Sequence, residues 1–398
     1  MVLLIFRLIR QHRALMVVAL TSALVAAGCA TAPKEEPVRL VWPPPPLKPR
    51  IEFVRSIVSD EDLGRDTTFS QALVNFLAGE KPPPNRIVEP MGLAVSDDGQ
   101  RLYVSDYAQL EVFVFDFGRK AFITIGEEEK LARPFGIALD GQEQLYVVEQ
   151  EKKGVSVFDL QGKRLRFITH PSLERPAGIA IDRNRGRIYL ADTGHTKSEE
   201  HAIKIFNMNG DLVGKIGKGM GEEPGQFLFP TYLNLDAEGN LYVTDTLNSR
   251  VQMFDADGKY VKSFGQRGNA WGMFDKPKGV ALDTFGNVYV ADSGWSNVQI
   301  FNQKAQILLF FGGRGPIPGM LKNPTAIVID KNNRIYVGDY LNHRVEVYQL
   351  VNTSAADSFI DPVADTKGGD AEKRSKRTLS STPRDQDFVD TTKGGPIK

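Results

Sequence analysis

Apolar and polar residues alternate along this chain over short segments, and the segments come in sets of four. Between Lys276 and Phe311, turns rich in glycine, aspartate and asparagine separate four of them: Gly279 to Leu282, Asn287 to Ala291, Val298 to Phe301 and Ile307 to Phe311. A period of two residues places neighbouring side chains on opposite faces of a strand. The pattern therefore predicts short antiparallel strands joined as hairpins.

The set of four strands occurs six times. Each copy starts with a proline followed by a short apolar strand, at Pro90, Pro134, Pro176, Pro230, Pro277 and Pro324. The spacings are 44, 42, 54, 47 and 47 residues, and an apolar residue stands three positions before every proline. A four-stranded repeat of about 40–50 residues is typical of a β-propeller blade. We therefore predict an all-β, six-bladed β-propeller over residues 50–351, with repeats from residue 87.

The two ends of the predicted ring complement each other. The sixth repeat stops after its third strand, at Leu350, whereas residues 50–58 form a strand that belongs to no repeat. If this N-terminal strand pairs with the last repeat, it completes the sixth blade and leaves the ring without an open edge. The sequence therefore predicts a ring closed by its N-terminal strand.

The repeats resemble the NHL repeat. The best matches run from Asp245 to Phe254 and from Asp339 to Val345, and the second contains the Asn-His pair that names the family. The resemblance covers about residues 89–350 and implies a six-bladed propeller. An aspartate ends the second strand of each repeat except the second, which has Glu149. A carboxylate that recurs in every blade favours a structural role, because it can accept backbone N–H bonds.

The N-terminus resembles that of a bacterial lipoprotein. Three arginines precede an uncharged apolar run, which ends in Ala26-Ala27-Gly28-Cys29. Basic, apolar and small-residue regions in this order are typical of a signal peptide, and the last four residues resemble a lipobox. The resemblance implies that residues 1–28 are removed and that Cys29 carries the lipid. We expect a lipid-anchored cell-envelope protein. The outer membrane is favoured, because Ala30 is not the aspartate that retains some lipoproteins in the inner membrane. The sequence does not indicate which side of the outer membrane the propeller faces.

Three further segments lie outside the predicted repeats. Residues 29–49 contain four consecutive prolines and predict a semi-rigid, extended tether. Residues 69–78 have apolar side chains at helical spacing and predict a short amphipathic helix, which either packs on the ring or binds a partner. Residues 352–398 are polar with few aromatic side chains, and we expect a disordered tail.

The long, variable loops of the predicted propeller share one face, which we call the long-loop face. Strand direction places there the linkers that end at the six prolines and the loops after the second strands. Functional residues concentrate on such loops, and aromatic side chains beside arginines suit a protein or glycan partner. With 49 basic and 49 acidic residues the chain has no basic excess, so we expect no nucleic-acid partner. The candidate binding residues are Arg133, Phe135, Arg175, Tyr232, Asn234, Arg250, Trp271, Lys276, Trp295 and Arg344.

Blade four breaks the repeat at two of these positions. Tyr232 and Asn234 replace the small residues that other inner strands carry, such as Gly178 and Ala180. They are expected near the central channel, where their bulk either plugs the channel or lines a ligand pocket.

Catalytic motifs are not evident in the sequence. Neither a nucleophile elbow nor a phosphate loop occurs. A zinc site usually needs three protein ligands, and only His195 and His201 share a loop, so these two are the candidates if a metal binds. We therefore predict a non-catalytic binding scaffold without a cofactor. The alternative, implied by six-bladed enzymes that resemble this repeat, is a metal-dependent lyase or hydrolase with its site in the channel.

Overall fold

The computed structural model describes residues 39–64, 84–127, 129–195, 198 and 200–354. The described strands form six antiparallel sheets, one for each predicted repeat. The all-β, six-bladed propeller predicted from the sequence is confirmed. The predictions for the signal peptide, Cys29, the helix over 69–78 and the tail beyond residue 354 concern segments outside the described residues.

The first three blades contain four strands each, in chain order from the channel to the rim. Blade one consists of β3 (Pro90–Val95), β4 (Arg101–Asp106), β5 (Glu111–Asp116) and β6 (Ala121–Ile125). Blade two consists of β7 (Pro134–Leu139), β8 (Leu145–Glu149), β9 (Gly154–Phe158) and β10 (Arg164–Thr169). Blade three consists of β11 (Pro176–Asp182), β12 (Arg187–Asp192), β13 (Ala202–Asn207) and β14 (Leu212–Ile216).

The other three blades follow the same order, and the last of them takes strands from both ends of the described chain. Blade four consists of β15 (Pro230–Leu235), β16 (Leu241–Asp245), β17 (Arg250–Phe254) and β18 (Tyr260–Phe264). Blade five consists of β19 (Pro277–Leu282), β20 (Val288–Asp292), β21 (Asn297–Phe301) and β22 (Ile307–Gly312). Blade six consists of β23 (Pro324–Ile329), β24 (Arg334–Asp339), β25 (Arg344–Leu350), β2 (Ile51–Ile57) and β1 (Val41–Trp42). Short 3-10 helices occupy Asp60–Leu63, Thr246–Asn248 and Tyr340–Asn342.

Strand β2 closes the ring by pairing with β25. The pairing is antiparallel, with Ile51 opposite Leu350 and Ile57 opposite Val345. Both isoleucines are fully buried, so the closing strand adds apolar contacts as well as backbone hydrogen bonds. This is the closure that the sequence predicts.

The chain before β2 differs from the predicted tether. Residues 29–49 were expected to be an extended arm, yet β1 pairs with β2 and adds a fifth strand to blade six. The ring of Trp42 packs against those of Phe311 and Tyr348, at centroid distances of 6.0 and 5.8 Å. Partial burial of this large side chain explains why the propeller begins about ten residues earlier than the prolines suggest.

The inner strands approach one another closely around the channel. A side chain at Gly178 would place its Cβ 2.5 Å from the carbonyl oxygen of Thr231, and one at Gly279 would lie 2.5 Å from that of Thr325. Glycine at this position lets the backbones of neighbouring blades touch. The ring of inner strands is therefore narrow enough for one large side chain to cross it.

The repeated carboxylates hold the linkers that lead into the inner strands. Asp292 accepts hydrogen bonds from the backbone N–H groups of Asp275 and Lys276 at 2.8 and 3.0 Å. Asp106 does the same for Val88 and Glu89 in blade one. These contacts give the carboxylates the structural role expected from their recurrence.

Candidate functional site

A central cavity of about 410 Å³ lies on the propeller axis. The inner strands of all six blades line its wall, and the turns at residues 182–184 and 236–237 line its mouth. Each inner strand starts at its proline on the long-loop face and runs towards these turns. The cavity therefore opens on the opposite face, which carries the short turns and which we call the short-turn face. The candidate binding face predicted from the sequence was the long-loop face.

Tyr232 closes the inner end of the cavity. It starts on blade four, and its Oη donates a hydrogen bond of 2.7 Å to the carbonyl oxygen of Met91 on blade one, across the channel. Its ring also packs against that of Phe135, at a centroid distance of 5.5 Å. Only 7% of Tyr232 is exposed, and burial raises the pKa of its hydroxyl far above the usual range. Tyr232 thus plugs the channel and also forms the floor of the pocket, so both roles considered for it are present.

Asn234 supplies a side-chain amide to the cavity wall. Its Nδ2 donates to the carbonyl oxygen of Val280 at 3.2 Å, and its Oδ1 accepts from the backbone N–H of Leu235 at 2.8 Å. The surrounding lining residues of the inner strands are glycine, alanine, valine, leucine and isoleucine. These small side chains leave backbone polar groups exposed, so the cavity surface is more polar than apolar.

The carboxylates at the cavity mouth are already used by their turns. Asp182 Oδ1 accepts from the N–H groups of Asn184 and Arg185, and its Oδ2 pairs with the Arg185 guanidinium. Asp236 Oδ1 likewise accepts from two backbone N–H groups of its own turn. In the part of the chain that the structure describes, no three histidine, cysteine, aspartate or glutamate side chains group together as metal ligands. The described residues therefore do not form the metal centre that the resemblance to six-bladed enzymes implies.

The two candidate histidines differ in environment. His195 is exposed, whereas His201 is fully buried and its Nδ1 accepts the N–H of Phe229 at 3.1 Å. Burial lowers the pKa of His201, so its neutral form is favoured. His201 thus holds the linker into blade four together with the repeated carboxylate Asp245, which accepts the N–H of Leu228 at 2.6 Å.

Two of the predicted binding residues have a structural role instead. Arg250 pairs with Asp245 at 2.8 Å and donates to the carbonyl oxygen of Gln226 at 2.9 Å. Arg344 pairs with Glu346 at 2.7 Å and donates to the carbonyl oxygen of Ile317 at 2.8 Å. Each arginine joins the third strand of its blade to the preceding linker, and its guanidinium is mostly buried.

The remaining candidates do not form one cluster. Trp271 is 72% exposed and packs against Phe310 on the rim, while Trp295 donates its Nε1–H to the carbonyl oxygen of Gly268. Arg175 and Lys276 are exposed. Arg133, also largely exposed, pairs with Glu151 and donates to the hydroxyl of Tyr107. Phe135, Tyr232 and Asn234 lie in the channel, so the structure brings together only these three.

Lys278 is a channel residue that the candidate set missed. It follows the proline of the inner strand in blade five, is partly buried, and donates from Nζ to Asn323 Oδ1 at 3.0 Å. Burial, with repulsion from Lys276, lowers its pKa to about 8. The sequence signal was available, because the other five inner strands have an uncharged residue at this position: Met91, Phe135, Ala177, Thr231 and Thr325.

The fold agrees with comparisons to known proteins. A model of the SMP-30/Gluconolactonase/LRE-like region matches residues 81–193, and an NHL repeat model matches residues 321–348. The chain is thus a six-bladed β-propeller with NHL-type repeats. Among curated proteins, the Drosophila melanogaster protein brain tumor is 26% identical over 144 residues, which are 35% of this chain and 13% of that protein.

Solved structures show the same architecture at low sequence identity. A gluconolactonase from Xanthomonas campestris superposes with a TM-score of 0.52 at 16% identity, covering 76% of this chain and 99% of that one. A protein of unknown function from Bacteroides thetaiotaomicron gives 0.53 at 15% identity, covering 67% and 70%. At these identities the likeness shows the fold alone.

The prediction of a non-catalytic protein is wrong. The SMP-30/Gluconolactonase/LRE-like match spans blades one and two and the first half of blade three, and it makes enzyme activity a candidate function. The prediction rested on the lack of local catalytic motifs. That criterion does not suit a propeller, because residues that meet in the channel come from different blades and are far apart in sequence.

Proposed function

We propose that this protein is a lipid-anchored cell-envelope propeller that binds a small, uncharged organic molecule in its central cavity. The observation that carries the proposal is the cavity closed by Tyr232 and open at the short-turn face. Its volume of about 410 Å³ falls within the range of about 300–1,000 Å³ found for ligand pockets.

The lining of the cavity indicates the class of ligand. The inner strands present small apolar side chains with backbone polar groups exposed between them, which suits a body that carries both apolar and polar atoms. Asn234 uses one Nδ2 hydrogen and one Oδ1 lone pair for Val280 and Leu235, and its second Nδ2 hydrogen and second lone pair suit a carbonyl or hydroxyl group. The acidic side chains at the mouth are occupied by turn contacts, so a charged ligand finds little compensation there. We therefore propose a ring compound with one or two polar oxygens, such as a lactone.

The binding proposal predicts that two cavity variants lose lactone binding. Ala180→Leu places a larger apolar side chain at the cavity wall, where Ala180 also packs between blades three and four, and Asn234→Ala removes the amide. We expect Asn234→Ala to weaken binding about tenfold, the equivalent of one hydrogen bond, and Ala180→Leu to abolish it. Calorimetry with δ-decalactone and glucono-δ-lactone measures the affinities.

Asn209→Ala is the matched control for these variants, since Asn209 is an exposed asparagine in a turn of blade three. It should bind like the unaltered protein. Equal affinity in the control and in both cavity variants would remove the cavity as the binding site. Thermal unfolding of each variant separates lost binding from lost folding.

A second candidate function is hydrolysis of the bound lactone, which the SMP-30/Gluconolactonase/LRE-like match favours. Ring opening releases acid, so the same samples are followed with a pH indicator, with and without added divalent cations. Acid release that Ala180→Leu suppresses would support catalysis in the cavity. Binding without acid release would support the binding function and argue against lactone hydrolysis.

The lipid anchor is the second part of the proposal. It is supported by the Ala26-Ala27-Gly28-Cys29 sequence after an apolar run. Over the described residues, no helix is long and apolar enough to span a bilayer. In this arrangement the long-loop face, with exposed Arg175 and Lys276, is the proposed contact for another envelope protein or a glycan.

Cys29→Ala should release the protein from the membrane. Without the thiol there is no lipid attachment, so we expect the protein to move from the membrane fraction to the soluble fraction and to lose the mass of its acyl chains. Ala30→Ser, which keeps the cysteine and the three residues before it, should remain anchored. A membrane-bound Cys29→Ala protein from which residues 1–28 have been removed, or an unaltered protein whose mass shows no acyl chains, would exclude anchoring through this cysteine.

A further inference from the structure

The long-loop end of the channel lies on the other side of Tyr232, and we call it the second chamber; Phe135, Ala177 and Thr325 are buried there. The residues that directly follow the six prolines surround it, because they precede the inner-strand positions that line the cavity. Met91 marks the boundary, since its carbonyl oxygen accepts the hydrogen bond from Tyr232. Met91, Thr231 and Lys278 retain partial solvent exposure there.

Lys278 introduces an unbalanced charge into this chamber. Its ammonium group makes one hydrogen bond, to the neutral amide of Asn323. Among the described residues no carboxylate forms an ion pair with it, and the nearest charge acting on it is the like charge of Lys276. A partly desolvated ammonium without a counter-charge is unfavourable for folding. Its charge is therefore best explained by an anion that enters from solution.

The opposite side of the chamber is apolar. In a ring of six blades, blade two faces blade five, so Phe135 faces Lys278 across the axis. The ring of Tyr107 packs edge-on against Phe135 at a centroid distance of 6.3 Å. An anion held by Lys278 would thus extend its remaining atoms towards Met91, Tyr107 and Phe135.

We propose that Lys278 is the recognition group of a second binding site, which takes a small organic carboxylate with an apolar body at the long-loop end of the channel. The carboxylate accepts hydrogen bonds from the Nζ hydrogens that Asn323 leaves free. The apolar body covers the aromatic side of the chamber. This site is separate from the central cavity, because Tyr232 stands between the two, and it does not depend on the neutral ligand proposed above.

The test uses phenylacetate, which combines a carboxylate with an apolar ring. We expect phenylacetate to bind the unaltered protein, and Lys278→Met to weaken that binding at least tenfold. Lys276→Met is the matched control, since it removes an exposed positive charge two residues away, and it should change the affinity less than twofold. Acetate and 2-phenylethanol each offer one half of the probe and should bind more weakly than phenylacetate.

A second measurement needs no variant. Phenylacetate should protect the Lys278 amine from acylation by acetic anhydride, as read by mass spectrometry, and should leave Lys276 reactive. Equal affinity of Lys278→Met and the unaltered protein, or equal acylation of Lys278 with and without phenylacetate, would overturn the proposal. Binding of 2-phenylethanol as tight as that of phenylacetate would also overturn it, because the charge would then contribute nothing.

Discussion

Tyr232→Ala should destabilise the propeller by about 3–5 kcal/mol, the range for removing a large buried aromatic side chain. The ring occupies the narrow part of the channel and contacts Phe135, so its loss joins the central cavity to the second chamber. The backbone around it consists of six inner strands already in contact, and it cannot collapse into the gap. Urea unfolding of the two proteins without ligand measures the change in the free energy of unfolding.

Tyr232→Phe is the control that separates the plug from its hydrogen bond. It keeps the ring and removes only the bond from Oη to the carbonyl oxygen of Met91, so we expect a loss of about 1 kcal/mol. A Tyr232→Ala protein no less stable than Tyr232→Phe would show that the ring does not fill the channel in solution. Lactone binding should also weaken in Tyr232→Ala, since the floor of the cavity is missing.

Much of the fold could be predicted because each repeat is defined by residues that are close together in the sequence. A proline and an alternating apolar strand recur in each blade, with a small residue after the proline in all but blade four. The missing fourth strand of blade six made the partner for residues 50–58 evident. The short strand β1 was missed for the opposite reason. Four prolines after Trp42 favour an extended arm locally, whereas the position of that tryptophan is decided by two rings distant in sequence, Phe311 and Tyr348.

The site was harder to predict than the fold. Tyr232 and Asn234 were evident as departures from the repeat, but the length of the loops predicted a binding site on the long-loop face. Which side of Tyr232 contains the larger space depends on the direction of one ring, and the sequence does not specify that direction. Arg250 and Arg344 looked like surface cations for a similar reason. The carbonyl groups that bind their guanidinium groups belong to linkers more than twenty residues earlier in the chain.

The buried carboxyl group of Glu346 should make the stability of the propeller depend on pH. Glu346 is fully buried in β25, where it accepts hydrogen bonds from Ser56 and from the N–H of Gly319. Burial raises its pKa to about 7 from the usual value of 4.5, despite the nearby Arg344. Blades four and five have glutamine at the same position, Gln252 and Gln299, with the same contact to a linker N–H.

The direction of the effect follows from the raised pKa. Below pH 4.5 the carboxyl group is protonated in both the folded and the unfolded chain, so it adds no pH dependence. Between pH 4.5 and 7 the unfolded chain loses this proton while the folded chain retains it, and the free energy of unfolding falls as the pH rises. Above pH 7 both are ionised and the loss is complete, at about 3 kcal/mol.

Glu346→Gln should therefore raise the free energy of unfolding by up to about 3 kcal/mol at pH 8 and by little at pH 4.5. Arg344 keeps its bonds to linker carbonyl groups in this variant, so it is not left unpartnered. Gln299→Glu is the reciprocal control in blade five, where Asn297 occupies the position of Arg344, and it should destabilise more at pH 8 than at pH 4.5. Equal effects of Glu346→Gln at the two pH values would mean that Glu346 has an ordinary pKa, with its charge compensated by Arg344.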